Sequence, residues 1–330
     1  MIFNHACSGG IMQIETLRYF TELAQAKSFY AAAKRLFISQ QGLNKAVTAL
    51  ESELGVKLVE RTRRGIRLTS AGEAFSAHAE AMLEEYSSML DELYTENRFM
   101  APDDSSLTFH VTYYIAQISR PFVDGTNAVS SARIAEEPFS QILESAAKSD
   151  GSELYCIDAN ANTLEFLANQ DELIFEPIIS SQFGVVWLDG SPLAGYRAIH
   201  REQLVDYPLA VDTHREMMRL VECVMEDYPL NNIRFGIAQP RQTLEYATRS
   251  PEVASTFDSF GFMLAQDSPR VHTDGLHYTP FSTPRSMCKM GFVYAKNAKP
   301  NVRARHAIDR LKRLLAEMYP EYMKRYPLDR

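Results

Sequence analysis

The sequence predicts an α/β protein whose N-terminal part is all-α, and three observations lead to that fold class. Apolar residues recur at helical spacing through the first part of the chain. From Leu107 onward, short β-forming runs alternate with helical segments, a pattern typical of a sheet flanked by helices. The chain has 330 residues, too many for one small domain, so about two to three compact units are expected.

Charged residues are divided unevenly along the chain. Residues 12–75 hold ten Lys and Arg against six Asp and Glu, a net charge of +4. Residues 76–330 hold 24 basic and 36 acidic side chains, a net charge of −12. The total of −8 therefore combines a basic head with an acidic body. This division is what a protein needs if only one end should meet phosphate groups.

Composition and hydropathy favour an ordinary globular protein. No apolar run approaches the roughly 20 residues that are needed to cross a bilayer. The first residues lack the basic and apolar regions of a signal peptide. We therefore expect a cytoplasmic protein with no membrane partner.

Cysteine and histidine spacing argues against a metal or disulfide framework. His272 and His277 flank Asp274, but their spacing matches no ligand pattern. Neither a metal ion nor a cofactor is expected. The cysteines form no C-x-x-C pair, so buried or idle thiols are favoured; they are Cys7, Cys156, Cys223 and Cys288.

Two short helices are predicted at the start of the basic head. The first begins near Ile14 and runs to about Ala26. Ser28 then occupies an N-cap position for a second helix. The apolar residues that define these helices are Leu17, Phe20, Leu23 and Ala24, followed by Phe29, Ala32, Ala33 and Leu36.

A third helix follows Ser39, a second N-cap candidate, and Gly55 can close it in a left-handed conformation. Leu43, Val47 and Leu50 lie on one face, which we expect to be buried. Amides can pair with adenine edges and an ammonium can reach guanine or phosphate, although for an arbitrary helix a solvated polar face is the simpler interpretation. The outward residues are Gln40, Gln41, Asn44, Lys45 and Thr48.

A basic β-hairpin is predicted after the third helix. Its strands are Val56–Val59 and Ile66–Leu68, and Gly65 supplies the turn. A hairpin of this kind is a wing that lays guanidinium groups along a sugar-phosphate backbone or into the minor groove. A wing directly after a polar-faced third helix favours double-stranded DNA as the partner. The predicted DNA contacts are Ser39, Gln40, Gln41, Asn44, Lys45, Thr48, Arg61, Arg63, Arg64 and Arg67.

A dense set of motif residues runs from Ser28 to Gly72. It comprises Ser28 with the run Ala-Ala-Lys-Arg-Leu, Ser39-Gln40, Leu50-Glu51, Leu54-Gly55, Leu58, Arg61, Leu68-Thr69 and Ala71-Gly72. With this set, the segment resembles the DNA-binding domain of the LysR-type transcriptional regulators. The resemblance implies a winged helix-turn-helix in which the third helix reads DNA.

The third helix departs from the family pattern, so a partly different set of base contacts is expected. Gln41 and Gly42 stand where the family often has Pro and Ala, and Asn44 stands where Ser is common. Lys45 replaces Arg, and Val59 replaces Phe.

The resemblance also implies domain boundaries. The winged helix-turn-helix is expected at 12–69, a linker helix at 70–98, a hinge at 99–106 and a regulatory domain at 107–330. Residues 1–11 are predicted to be an extension outside the domain, and Met12 is favoured over Met1 as the start.

The linker helix carries an a/d heptad seam. Ser70 or Thr69 offers its cap, and acidic residues occupy the other faces. Such a helix can pack on its own domain, but the resemblance implies antiparallel pairing of two subunits. A homodimer, with a homotetramer as the larger form, is therefore expected. The seam residues are Phe75, Ala79, Met82, Tyr86, Met89 and Leu93.

The second half of the chain is predicted to form a mostly parallel sheet. Strands are expected at 107–111, Leu154–Ile157, Phe183–Leu188, Pro208–Val211 and Gly291–Ala295. Helices are expected at Ser140–Ala147, Met217–Met225, Thr243–Ala247 and Arg303–Tyr319. A second strand is present only as a trace at Arg133-Ile134.

More distantly, this half resembles the effector domain of the same family. That resemblance implies two Rossmann-like lobes, similar to periplasmic binding proteins, with a ligand cleft between them. Tyr113 and Tyr114 could stack on a flat ligand, or could equally be core residues with satisfied hydroxyls. The expected rim of the cleft is Thr112, Tyr113, Tyr114, Asp212, Thr213, His214, Gln242 and Thr243.

The function expected from these features is that of a LysR-type transcriptional regulator. It would bind a two-fold promoter site as a homo-oligomer and respond to a small organic effector, with RNA polymerase as a further candidate partner. The alternative keeps the DNA-binding head on a ligand-free interaction or dimerisation module. An enzyme is disfavoured, because no hydrolase, metalloprotease or phosphate-loop motif occurs and Cys156 lies in an apolar strand.

Overall fold

The computed structural model forms two compact units, Met1–Pro102 and Asp103–Arg330, which are treated separately below. It describes residues 12–36, 38–62, 65–96, 107–116, 133–204, 207–212, 214–225, 233–237, 251–252, 254–267 and 273–328. Residues 1–11, including Cys7, lie outside this described part. Within it, no helix is both long and apolar enough to cross a membrane.

Three short helices open the first unit, as predicted. They are α1 (Ile14–Ala26), α2 (Phe29–Arg35) and α3 (Gln40–Leu54). The Ser28 and Ser39 hydroxyls accept hydrogen bonds from backbone amides in the first turns of α2 and α3, which stabilises each helix start. Gly55 ends α3 at φ 70°, a left-handed conformation. The helices pack around Phe20, Leu23, Leu43 and Leu50, which are fully buried.

The β-hairpin has strands β1 (Val59–Thr62) and β2 (Gly65–Leu68), paired antiparallel from Val59↔Leu68 to Thr62↔Gly65. The predicted first strand, Val56–Val59, was therefore placed too early. Residues 56–58 precede the ladder, and the backbone amide of Leu58 donates to the Glu51 carboxylate. Gly65 has φ 135°, and a Cβ there would lie 2.4 Å from the Lys27 carbonyl oxygen, so the turn requires glycine.

A long helix, α4 (Ser70–Glu96), completes the first unit. Thr69 is its cap, since the Thr69 hydroxyl accepts a hydrogen bond from the Gly72 amide at 3.0 Å. Phe75 in the second turn packs edge-on against Phe20, with ring centroids 5.0 Å apart. The start of α4 is thereby anchored to the core of its own domain.

The second unit begins with a parallel three-stranded arrangement. Its elements are β3 (Thr108–Val111), β4 (Arg133–Glu136), α5 (Phe139–Lys148), β5 (Leu154–Ala159) and α6 (Ala161–Ala168). β3 pairs parallel with both β4 and β5. The prediction that only a trace of the second strand survives was wrong, because the backbone at 133–136 forms a full strand beside β3.

One long strand, β6 (Leu173–Leu188), follows and runs through the middle of the sheet. The remaining elements come after it in the chain. They are β7 (Leu209–Asp212), α7 (Arg215–Met225), β8 (Ile233–Ile237), β9 (Ala254–Asp258), α8 (Ser259–Asp267), β10 (Leu276–Pro280), β11 (Met287–Ala295), α9 (Val302–Met318) and α10 (Pro320–Arg325). The helix predicted at Thr243–Ala247 lies outside the described residues.

The sheet is mixed, which corrects the prediction of a mostly parallel sheet. The strand order is β4-β3-β5-β11-β6-β9-β7-β8, with β10 also paired to β6. β6 and β11 run antiparallel to their neighbours because the chain crosses from the first half of the sheet to the second along β6 and returns along β10 and β11. Parallel pairing is confined to the ends, β3 with β4 and β5, and β7 with β8 and β9.

Candidate nucleic-acid interface

The exposed face of α3 follows from its buried face. Leu43, Val47 and Leu50 are fully buried against α1 and α2, so the helix cannot rotate without exposing them. The positions between them therefore face outward. Gln40, Gln41, Lys45 and Thr48 are exposed and Asn44 is half-buried, while the cap residue Ser39 is exposed as well.

The wing contacts this face through Arg61. Its Nη2 atom donates a hydrogen bond to Oδ1 of Asn44 at 2.7 Å. The guanidinium carbon also lies 5.5 Å from the centre of the Phe29 ring, a cation–π distance. The Arg61 side chain of β1 thus links α3 to Phe29, the first residue of α2.

Glu51 joins the inner side of α3 to the start of the wing. Its carboxylate accepts hydrogen bonds from the backbone amides of Leu58 at 2.8 Å and Val59 at 3.1 Å, and from Lys57 Nζ at 2.6 Å. Burial alone would raise the pKa of Glu51, but these hydrogen bonds outweigh it and hold the pKa below its ordinary value. The sequence showed Glu51 only as a motif residue and did not indicate this role.

The other wing cations differ in their surroundings. Arg67 is exposed and pairs with Glu60 across the hairpin at 2.6 Å. A solvent-exposed pair of this kind is weak, so Arg67 can exchange its partner for a phosphate. Arg63 and Arg64, which the sequence predicts as DNA contacts, lie outside the described residues.

This segment matches a known family. Residues 14–73 match the bacterial regulatory helix-turn-helix proteins of the lysR family. The regulator TcbR of Pseudomonas sp. strain P51 is 48% identical over 73 residues, and the Hca operon transcriptional activator HcaR of Escherichia coli K12 is 43% identical over 74 residues. Each alignment covers 22% of this chain and 25% of the relative, so the match spans about a quarter of those proteins.

HinK, a LysR family transcriptional regulator from Pseudomonas aeruginosa, aligns over 93% of this chain and 99% of its own length. The TM-score of this alignment is 0.47 and the sequence identity is 17%.

The predicted heptad seam of α4 divides into two parts. Phe75 and Ala79 are covered within their own unit, and Phe75 is engaged by Phe20. These two residues thus contribute to the core of their own domain, and their role in pairing two subunits stays a prediction. Met82 and Met89 remain 49% and 44% exposed. The side chain of Leu93 lies outside the described set.

The described residues of the predicted ligand rim contact neighbouring side chains, and most of them are buried. Thr112 donates a hydrogen bond to Oδ1 of Asp158, and the ring of Tyr113 stacks on His214 with centroids 3.6 Å apart. Tyr114 is only 4% exposed. Of the two interpretations of these tyrosines, a role in the core is favoured over stacking on a ligand, because one ring is covered by His214 and the other is buried in the core. Thr213, Gln242, Thr243 and the side chain of Asp212 lie outside the described residues.

An open cavity of about 720 Å³ lies elsewhere in the second unit, between the start of α6 and the side of α7. It contains two guanidinium groups and the polar end of a helix. None of the predicted rim residues lines it, so sequence reasoning missed this position. A residue following a buried strand, such as Asn160 after β5, was the available signal. The lining residues are Asn160, Asn162, Thr163, Arg219, Glu222, Cys223 and Arg285.

The described cysteines are buried, and one of them, Cys223, lines this cavity. Cys156, Cys223 and Cys288 are free and buried. Burial raises the pKa of the Cys156 and Cys288 thiols well above the ordinary value, so both stay protonated and unreactive at neutral pH. Among the residues that the structure describes, no three His, Cys, Asp or Glu side chains come together as metal ligands.

Proposed function

We propose that this protein is a DNA-binding transcriptional regulator of LysR type. The observation that carries the proposal is the exposed polar face of α3 beside a cationic wing, in a segment that matches the lysR helix-turn-helix family over residues 14–73. A recognition helix of this kind enters the major groove and contacts base edges with its N-terminal residues. Gln40, Gln41 and Asn44 occupy those positions here.

Affinity and selectivity are assigned to different residues in this proposal. Lys45, Arg61 and Arg67 supply positive charge, and phosphate contacts of this type position a protein without reading sequence. The α3 amides supply the donors and acceptors that distinguish base pairs in the major groove. The acidic remainder of the chain, with a net charge of −12 over residues 76–330, favours approach through the basic head alone.

Pairing of two subunits through α4 completes the proposed mechanism. Met82 and Met89 lie seven residues apart on this helix and are both about half exposed, as expected for a heptad seam that awaits a second helix. Two heads held by such a seam would read a two-fold site, which makes a short recognition element selective. A homodimer is the proposed minimum, and a tetramer is compatible with it.

The test is a binding selection with the full chain on a random double-stranded DNA library. We expect enrichment of a two-fold motif and a steep fall in affinity with salt. Lys45→Ala should weaken binding and lower the salt slope by about one unit if Lys45 contacts a phosphate. Binding without sequence preference, or no binding, would contradict the proposal.

We further propose that the second unit binds a small organic acid. The support is the cavity between α6 and α7, where Arg219 and Arg285 approach from different elements. Guanidinium groups bind carboxylates with paired hydrogen bonds, and the first amides of α6 have no acceptor within the helix. A ligand that touches both halves of the sheet can change their relative position, provided that it binds one state better than the other.

A thermal-shift screen of the full chain tests this second proposal. Small carboxylic acids should raise the melting temperature, matched neutral amides should not, and Arg219→Gln should abolish the shift. A chain that responds to no acid would instead favour the ligand-free interaction module. The burial of Thr112, Tyr113 and Tyr114, at 1%, 8% and 4% exposure, is the observation that favours this alternative.

A further inference from the structure

Arg61 holds the amide of Asn44 before any DNA is bound. The bond from Arg61 Nη2 to Asn44 Oδ1 measures 2.7 Å and joins residues 17 positions apart. The same guanidinium lies over the ring of Phe29, which is itself buried at the start of α2. Because Arg61 is held by both partners, the Asn44 amide has a defined orientation relative to α3.

The chemistry of the contact determines which atom of the amide is engaged. A guanidinium group has five N–H donors and no acceptor, so its partner on Asn44 must be the amide oxygen. The amide nitrogen, which carries two N–H donors, is left for another partner. An asparagine that reads adenine needs both groups, because its oxygen accepts from N6 while its nitrogen donates to N7.

We propose that Asn44 reads its base as a hydrogen-bond donor and selects guanine or thymine over adenine, because Arg61 occupies its amide oxygen. Guanine and thymine present keto oxygens in the major groove, whereas adenine and cytosine present amino groups at the equivalent positions. An amide restricted to its N–H groups can donate to both O6 and N7 of guanine, or to O4 of thymine. At adenine it can donate only to N7, and the N6 amino group then finds no acceptor on Asn44. This inference rests on the proposed DNA binding.

Arg61 is a positioning residue in this arrangement. One bond to Asn44 leaves its other N–H groups available, so it can also contact a phosphate. Loss of Arg61 should therefore have two separable effects. Affinity should fall for every sequence, and base preference should change only at the position that Asn44 contacts.

The experiment is the selection from a random DNA library, repeated with variants of the full chain. Asn44→Ala identifies the position in each half-site that Asn44 reads. We expect the wild type to prefer a keto base over adenine there by about fivefold or more. Arg61→Met should remove most of that preference, since the freed oxygen can accept from adenine. The matched control, Arg67→Met, removes a wing cation that pairs with Glu60 and should lower affinity with no change in preference.

A second variant tests the donor directly. Asn44→Asp keeps an oxygen for Arg61 but has no N–H group, so the keto preference should be lost while the wing contact persists. Thermal melts identify a variant that fails to fold, in which case the other variant carries the test.

Three results would overturn the inference: an adenine preference at this position in the wild type, an unchanged preference in Arg61→Met, or no altered position in Asn44→Ala. Failure of the proposed function is distinguishable, because the wild type itself would then select no sequence at any position.

Discussion

Removal of the Glu51 carboxylate should destabilise the first unit more than any exposed substitution. In the folded protein this carboxylate accepts hydrogen bonds from the backbone amides of Leu58 and Val59 and from Lys57. Glu51→Ala removes this acceptor, so the backbone amides of Leu58 and Val59 lose their hydrogen-bond partner. The amide of Leu58 is buried, so water cannot readily replace the lost partner.

The magnitude follows from the burial of those amides. An unsatisfied buried donor costs about 1–3 kcal/mol, and Val59 is only half-buried, so we expect a loss of about 2–4 kcal/mol for both amides together. For a domain of this size each kcal/mol lowers the melting temperature by about 4–8 °C, which predicts a fall of roughly 10–30 °C. Differential scanning calorimetry of the full chain measures this as the transition of the first unit.

Two comparisons make the test specific. Glu51→Gln keeps an oxygen for Leu58 without the charge and should lose about half as much stability. Glu84→Ala makes the same chemical change at an exposed position of α4 and should stay within about 0.5 kcal/mol of the wild type. A Glu51→Ala protein that melted like Glu84→Ala would refute the reasoning, because the carboxylate would then not support the wing.

The same contact predicts a pH dependence. The folded pKa of Glu51 lies below its ordinary value of 4.5, so the stabilisation is fully present above that value and is lost as the pH falls through the folded pKa. The difference in melting temperature between the wild type and Glu51→Gln should therefore be constant near neutral pH and shrink on acidification below 4.5. A difference that grew on acidification would contradict this sign.

Three further predictions concern the rest of the chain. The double variant Met82→Lys with Met89→Lys should be monomeric by light scattering. Each change removes up to about 2 kcal/mol of stabilisation from apolar burial in the seam and places a charge between the two helices. A persisting dimer would place the interface elsewhere. A chain begun at Met12 should melt and bind DNA like the full chain, since residues 1–11 carry no charge or cap, and a lower melting temperature would show that they pack. Burial raises the pKa of Asp258 from 3.8 to about 7, so its contribution to stability is full below the unfolded value and is lost as the pH rises to the folded one. Asp258→Asn should therefore flatten the dependence of the melting temperature on pH between about pH 4 and pH 7, and an unchanged slope would argue against it.

The sequence alone determined the helices of the first unit and the outward face of α3. Ser28, Ser39 and Gly55 act on backbone groups within a few residues of themselves, so their effects can be seen locally. The apolar spacing of Leu43, Val47 and Leu50 likewise identifies the buried side without knowledge of what covers it. The exposed polar residues then follow by elimination.

Some strands of the second unit could not be predicted because their environment is not periodic. Every residue of β9 is buried, so the strand shows no alternation of apolar and polar positions. The direction of β6 and β11 depends on which half of the sheet each enters, and neighbouring residues carry no trace of that choice. A mixed sheet therefore replaced the expected parallel one.

Contacts between distant residues were decided only by the tertiary structure. The start of the wing depends on the Glu51 carboxylate seven and eight residues away, and the Asn44 amide depends on Arg61, 17 residues away. The stacking of Tyr113 on His214, and the cavity that Arg219 and Arg285 both line, likewise involve separate stretches of chain. Side-chain types indicate which bonds a residue is able to make, but packing decides which partner comes within reach, and that depends on the whole chain rather than on local spacing.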